Sequence, residues 1–224
     1  MGKSEFEITI HNLLEKVEEY IEEQNGDPHD YQNILSNFSF NTITTLILSK
    51  NYEHDDQDYR LFKYSTQNMF AAMEKLNIIL TGNVWKFLLK FKPDIQKRLA
   101  DNYKEIILFG QKMVNERMKT YDPNNCNDLL DYWIKEIDQI GEDVAGFIMG
   151  GTDTSSALLY HSLHLMGLYP DVQRRVFEEI DNTVGTEGLF CYLDKERMPY
   201  TQAVIAEIFR FVILAPLGNP HESN

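Results

Sequence analysis

Residues 147–156 read Phe-Ile-Met-Gly-Gly-Thr-Asp-Thr-Ser-Ser, a polar notch with apolar turns on both sides. Two adjacent glycines inside a helix cost about 1 kcal/mol each. Burying four hydroxyls and a carboxylate beside them needs a reason. One reading is a helix that crosses the face of a flat ligand. The glycines would let the ligand approach the backbone. Asp153 next to Thr154 would be an acid–alcohol pair able to relay protons through water to a reduced oxygen species. The other reading is structural: Gly150-Gly151 ends one helix and Thr152 or Asp153 caps the next. The residues alone leave both open. A second constellation, Glu207-x-x-Arg210, places two opposite charges on one side of a helix. Ile205, Ile208, Phe209 and Val212 have the spacing of a core stripe facing roughly the other way. In solvent such a pair is worth only about 0.3–0.5 kcal/mol. It gains meaning if its side packs against a further element.

The elements that must carry these residues are helices. Ser4 and Glu7 have capping-box spacing, and a helix extends to about Gln24, stopped by Asn25-Gly26-Asp27-Pro28. A second helix spans Asp30 to Leu48, although the β-branched stretch Ile43–Leu48 also permits a strand. A third covers Tyr59 to Leu76. After the apolar patch around Trp85, Phe87, Leu88, Leu89 and Phe91, Pro93 opens a helix to about Lys119. Further helices are expected at Asp128–Ile137, Glu142–Leu168, Asp171–Val184 and from Pro199 to about Leu214. The fold class is therefore mainly α.

The 224 residues are 43% hydrophobic, enough for a packed core. A net charge of −14 argues against nucleic acid, whose binding depends on Lys and Arg displacing phosphate counterions. The two cysteines, Cys126 and Cys191, make neither a disulfide framework nor a zinc motif, so no metal site is expected from them. No run of about 18 apolar residues is present, and the polar N-terminus does not resemble a signal peptide.

The two constellations occur in order. Between and after them come Tyr169-Pro170-Asp171-Val172-Gln173, Glu178-Glu179-Ile180-Asp181, Met198-Pro199-Tyr200-Thr201 and Ala215-Pro216-Leu217-Gly218-Asn219-Pro220-His221. This succession resembles the haem-thiolate monooxygenases of the cytochrome P-450 superfamily, most of all the animal microsomal family 2 group. The likeness is strong over residues 143–221. It is weaker back to Gly2-Lys3-Ser4-Glu5 and through Asn127-Asp128-Leu129-Leu130-Asp131. It implies that residues 1–224 are an incomplete P-450 domain, from the fourth helix to just past the Glu-x-x-Arg helix.

By that resemblance, Asp153 and Thr154 are the catalytic proton-delivery pair, and Gly150, Gly151 and His221 face the haem. Met149, Ala215 and Asn219 line the substrate side, and Glu207 with Arg210 is the structural pair. Gly150 stands where the family usually has Ala, and Asn219 where it usually has an apolar residue. The expected cofactor is haem b, whose iron-ligand cysteine lies in a glycine-containing loop that neither Cys126 nor Cys191 matches. Implied partners are an NADPH–cytochrome reductase and a small hydrophobic organic substrate, at the cytosolic face of the endoplasmic reticulum membrane. The chain alone is expected to be inactive. The approach to the long helix, Asp138-Gln139-Ile140-Gly141, is shorter than the family's and suggests a missed exon or a deletion. The competing reading is a non-catalytic, truncated helical protein.

Overall fold

A computed structural model describes residues 3–75, 90–136, 140–185, 188 and 190–214. Among them every regular element is helical and no strand occurs. The α-helices are α1 (Lys3–Glu23), α2 (Gln32–Leu48), α3 (Gln57–Lys75), α4 (Pro93–Met118), α5 (Leu129–Glu136), α6 (Gly141–Leu168), α7 (Pro170–Val184) and α8 (Pro199–Phe211). A 3-10 helix, Tyr192–Arg197, precedes α8. It falls in a stretch whose sequence shows little pattern.

Local chemistry accounts for the boundaries. Past α1 the backbone turns left-handed at Asn25 (φ 51°) and Gly26 (φ 82°), residue types that tolerate that region. The Ser4 position falls within α1, and Glu7 Oε1 accepts the distant Tyr192 amide at 3.3 Å. The Ile43–Leu48 stretch is helical, which settles the strand alternative. Thr42 and Thr44 donate their hydroxyls to the carbonyls of Phe38 and Phe40 at 2.9 and 3.0 Å, so these β-branched residues stay satisfied inside a helix. Asp56 Oδ1 accepts the amides of Asp58 and Tyr59 and starts α3. Proline occupies the first turn of α4, α7 and α8, where its missing N–H costs nothing.

The chain divides into two compact units. The first comprises Met1–Thr45 and Gly151–Leu214, and the second is built on Leu46–Gly150. The boundaries fall within α2 and α6. In the first unit Phe40 and Thr44 are fully buried, with Leu13, Leu35, Leu165, Met198 and Ile208 around that level. In the second, Phe62 and Phe109 meet at a tilt, 4.8 Å between ring centroids, and Tyr59, Ile106, Leu130, Val144, Ala145 and Ile148 are buried. There Lys112 Nζ to Asp58 at 2.6 Å also joins α3 and α4, and Tyr52, in the segment between α2 and α3, donates its Oη to Met113 Sδ of α4 at 2.9 Å.

The beginning of α6 is fixed by close packing. A Cβ on Gly110 of α4 would lie 2.1 Å from the Gly141 carbonyl oxygen and 2.9 Å from Ala145 Cβ. A Cβ on Gly141 would meet Gln111 Cγ at 2.6 Å. Only glycine lets these two backbones approach so closely.

Candidate functional site

The glycine notch does not interrupt its helix: α6 runs from Gly141 to Leu168 straight through Gly150 and Gly151. The reading in which those glycines end one helix is therefore excluded. Residues four apart share a face, which sorts the notch into stripes. Val144, Ile148 and Thr152 are buried. Met149 and Asp153 are half-buried. Gly146, Gly150 and Thr154 are exposed. A Cβ on Gly146 or Gly150 would find nothing within 4 Å. That stripe is bare backbone for two turns, followed by a hydroxyl.

The two central glycines thus do different work. A Cβ on Gly151 would lie 2.7 Å from Ile43 Cδ1, so Gly151 faces α2 within the first unit and serves packing. The geometry separates it from Gly150, which keeps the open face. Asp153 and Thr154 are also divided. Consecutive helical residues point about 100° apart. Thr154 is on the glycine stripe, while Asp153 is one step round, beside Met149. Ala215, Asn219 and His221 lie outside the described residues.

Glu207 and Arg210 form the expected pair on α8. Arg210 Nε and Nη2 donate to the two Glu207 carboxylate oxygens at 2.8 and 2.5 Å. The hydrogen bond from Arg210 holds Glu207 below the usual carboxylate range, and Glu207 in turn raises Arg210. Both side chains are open to solvent, at 61% and 72% exposure. The apolar stripe opposite them does not form a core: of Ile205, Ile208 and Phe209, only Ile208 is buried. The spacing suited burial, but the described residues supply no cover for that face. A groove of about 520 Å³, lined by Leu165, Met166, Tyr169, Val204 and Phe211, runs past the ion pair.

Two supporting arrangements were not anticipated from the sequence. Glu179 of α7 accepts the amides of Tyr200 and Thr201 at 2.9 and 2.6 Å. These are orphan N–H groups of the first turn of α8, whose own N-cap, Met198, has no side-chain capping bond. Burial works to raise the Glu179 pKa, but the amide donations outweigh it and leave it lowered. Arg175 lies over the Tyr200 ring at 4.1 Å and joins the same two helices.

The second arrangement centres on Arg117, at the end of α4. Its guanidinium donates to Asp131 Oδ1 at 2.8 Å, Asp128 Oδ2 at 2.6 Å and the Leu48 carbonyl at 2.7 Å. Asp128 caps α5, its Oδ1 accepting the Asp131 amide at 3.2 Å. Asp131 Oδ2 accepts the Asn127 amide at 2.8 Å. Burial pushes the Asp131 pKa up, but the Asn127 amide and Arg117 overcome it, and the net displacement is downward. Two acidic residues three apart at a helix start are a capping signature. That was the legible signal; their arginine partner was not.

Cys126 and Cys191 are free and half-buried. Cys126 sits in a turn with Sγ 3.9 Å from the Pro123 carbonyl. Cys191 precedes the 3-10 helix and donates its amide to Asp194 at 2.8 Å. Among the described residues no three metal-ligating side chains cluster, and no helix is long and apolar enough to cross a membrane.

A model of the cytochrome P450 family matches residues 1–224. Human cytochrome P450 2J2 (Homo sapiens) is 29% identical over 236 residues, covering 99% of this chain and 47% of the relative. Cytochrome P450 2C38 of Mus musculus is 28% identical over 234 residues, covering 99% of this chain and 48% of the relative. Cytochrome P450 2F3 of Capra hircus is 31% identical over 238 residues, with the same 99% and 48% coverage. The chain thus spans about half the length of the curated relatives it matches. Each matched stretch is also longer than the 224 residues of this chain.

Proposed function

Because this chain belongs to the cytochrome P450 family, whose members bind haem, we propose that it is the part of a haem-thiolate monooxygenase that shapes the oxygen side of the cofactor and delivers protons there. The observation that carries this reading is the bare stripe Gly146–Gly150–Thr154 on an unbroken helix. The fit to a flat macrocycle is steric. A position where a Cβ would touch nothing within 4 Å, followed one turn later by an exposed hydroxyl, leaves room for a planar ring against backbone. When bound, the haem supplies dioxygen binding and reduction.

The chain's own residues orient and protonate. Gly150 permits close approach. Thr154 Oγ1, on the same stripe, donates a hydrogen bond into that space. Asp153, one step round the helix, resupplies the Thr154 hydroxyl through water. Met149, half-buried on the Asp153 stripe, borders the substrate, and Glu207 with Arg210 is a structural pair. Ala215, Asn219 and His221 keep the roles the resemblance assigns to them: the first two toward substrate, the last toward the cofactor. In the complete protein the electrons come from an NADPH-dependent reductase at the endoplasmic reticulum membrane, and the substrate is a small hydrophobic organic molecule.

In the complete haem protein, Thr154→Ala should leave haem content unchanged and lower product formed per NADPH consumed by about a hundredfold, the low end of what a positioned proton donor contributes. The lost electrons should appear as hydrogen peroxide. Unchanged coupling in Thr154→Ala, with Asp153→Asn also fully coupled, would rule out the proton-delivery role.

A further inference from the structure

Ile43 of α2 stands against the bare backbone of Gly151. A Cβ on Gly151 would lie 2.7 Å from Ile43 Cδ1, 2.8 Å from Cγ1 and 3.6 Å from Cγ2. Three carbons of one side chain thus close round a single α-carbon, and both residues belong to the first unit. Gly146 and Gly150 have no such neighbour. Ile43 is half-buried. A β-branched residue in a helix is largely confined to one χ1 rotamer, so its two γ-carbons are held and only Cδ1 swings. The residues on either side of it, Thr42 and Thr44, bond back to the carbonyls of Phe38 and Phe40, and Thr44 is fully buried. The turn that presents Ile43 is therefore well anchored.

Thr154 is three residues beyond Gly151, which makes the two positions neighbours on the helix surface. A helical side chain leans toward the N-terminus and covers the turn before its own Cα. Thr154 thus leans over the turn that holds Gly150 and Gly151, the turn on which Ile43 is seated. A helical threonine divides between two χ1 rotamers, because its hydroxyl can fold back on a carbonyl three or four residues earlier. Those carbonyls belong to Gly151 and Gly150. Bulk beside Gly151 bears on the choice between the rotamers. Glycine has no side chain to supply that bulk, so it comes from α2.

We propose that Ile43 is a positioning residue for Thr154. It fills the space beside Gly151, holds Thr154 in one rotamer and keeps the hydroxyl directed along the open stripe. It acts through Thr154 and not on the cofactor or the substrate. This rests on the proton-delivery reading of Thr154 given above.

The test is a size exchange in the complete haem protein, read as product formed per NADPH consumed. Ile43→Ala should leave haem content unchanged and lower that ratio by about tenfold, the scale of a displaced rather than absent proton donor. Ile43→Val, which removes only Cδ1, should fall between it and the wild type and serves if the alanine variant does not fold. Adding Gly151→Ala to Ile43→Ala returns a carbon to the vacated space and should recover most of the loss. In a Thr154→Ala background, Ile43→Ala should change nothing further. With Thr154→Ala uncoupled, three results overturn the proposal: wild-type coupling in both Ile43 variants, no recovery on adding Gly151→Ala, or an Ile43→Ala loss of the same size without Thr154. The rotamer is read separately in the haem-free chain. Three-bond couplings to the Thr154 methyl group should report one χ1 state in the wild type and an average of two in Ile43→Ala. Averaging already present in the wild type also overturns it. If Thr154→Ala itself stays coupled, the proton-delivery reading fails, and the methyl couplings alone decide whether Ile43 positions Thr154.

Discussion

At the residue scale, the glycines of α4 and α6 divide into three kinds, and each kind predicts a different response to alanine. Gly150→Ala adds a methyl group to open space. In the haem-free chain it should stabilise by about 0.5–1 kcal/mol, through reduced unfolded-state freedom and better helix propensity. Gly151→Ala pushes on Ile43, a side chain able to give way, so its effect in thermal melts should be small. Gly110→Ala drives a Cβ onto the Gly141 carbonyl, which is backbone and cannot yield cheaply. Its cost should be about 2–3 kcal/mol or more. A Gly110→Ala protein that melts with the wild type would mean that the contact is not as close as described. The sequence showed that residues 150 and 151 were unusual. It could not show that they serve opposite sides of one helix, because that depends on where α2 runs. The same limit applied to Asp153 and Thr154. Adjacency in sequence suggested one working pair, while helical geometry places them on neighbouring stripes.

At the element scale, helix ends are tied to one another by charge, and the Arg117 cluster shows how. One guanidinium satisfies the last residue of α2 and both carboxylates at the start of α5. The Asp128 and Asp131 side chains are 0% and 4% exposed, so removing their partner strands two buried charges. Arg117→Ala should cost about 3–5 kcal/mol in urea unfolding. Arg117→Lys should recover only part, since an ammonium cannot reproduce the planar fork. The pH dependence follows from the depressed Asp131 pKa. The folded state holds this carboxylate ionised more readily than the unfolded chain does. Its stabilisation is therefore complete above the unfolded pKa of about 3.9 and lost as pH falls through the lower folded value. Asp131→Asn should remove that acid-side slope. Helix existence was legible from apolar periodicity, from Pro93 and Pro199 as first-turn residues, and from Pro170 as a stop, although Pro170 itself begins α7. Inter-helix capping was not, because Glu179 and Tyr200 are 21 residues apart and only folding brings them together. The 3-10 helix escaped for a related reason: Asp194, which accepts the Cys191 amide, stands in a segment with no apolar rhythm.

At the scale of the whole molecule, the positions of the two cysteines carry a prediction. Neither is on the open face of α6, and each lies in a polar turn or at the edge of a short helix. Purified chain mixed with haem, reduced and exposed to carbon monoxide should give no thiolate-type absorption band. A strong one would show that Cys126 or Cys191 reaches the iron. The family was readable because several weak motifs follow one another in order, each trivial alone. The roles of Ala215, Asn219 and His221 rest on that succession, as they fall outside the described residues. The contact between Gly110 and Gly141 also bears on how such a chain tolerates changes of length. It acts as an anchor point from which the register of α6 is counted, so the distance along the helix from Gly141 to Gly146, Gly150 and Thr154 is preserved whatever precedes it. Residues can be gained or lost ahead of Ile140 without rotating the open stripe. The same insertion placed one residue after Gly141 would turn every downstream position by about 100° and aim the bare backbone elsewhere.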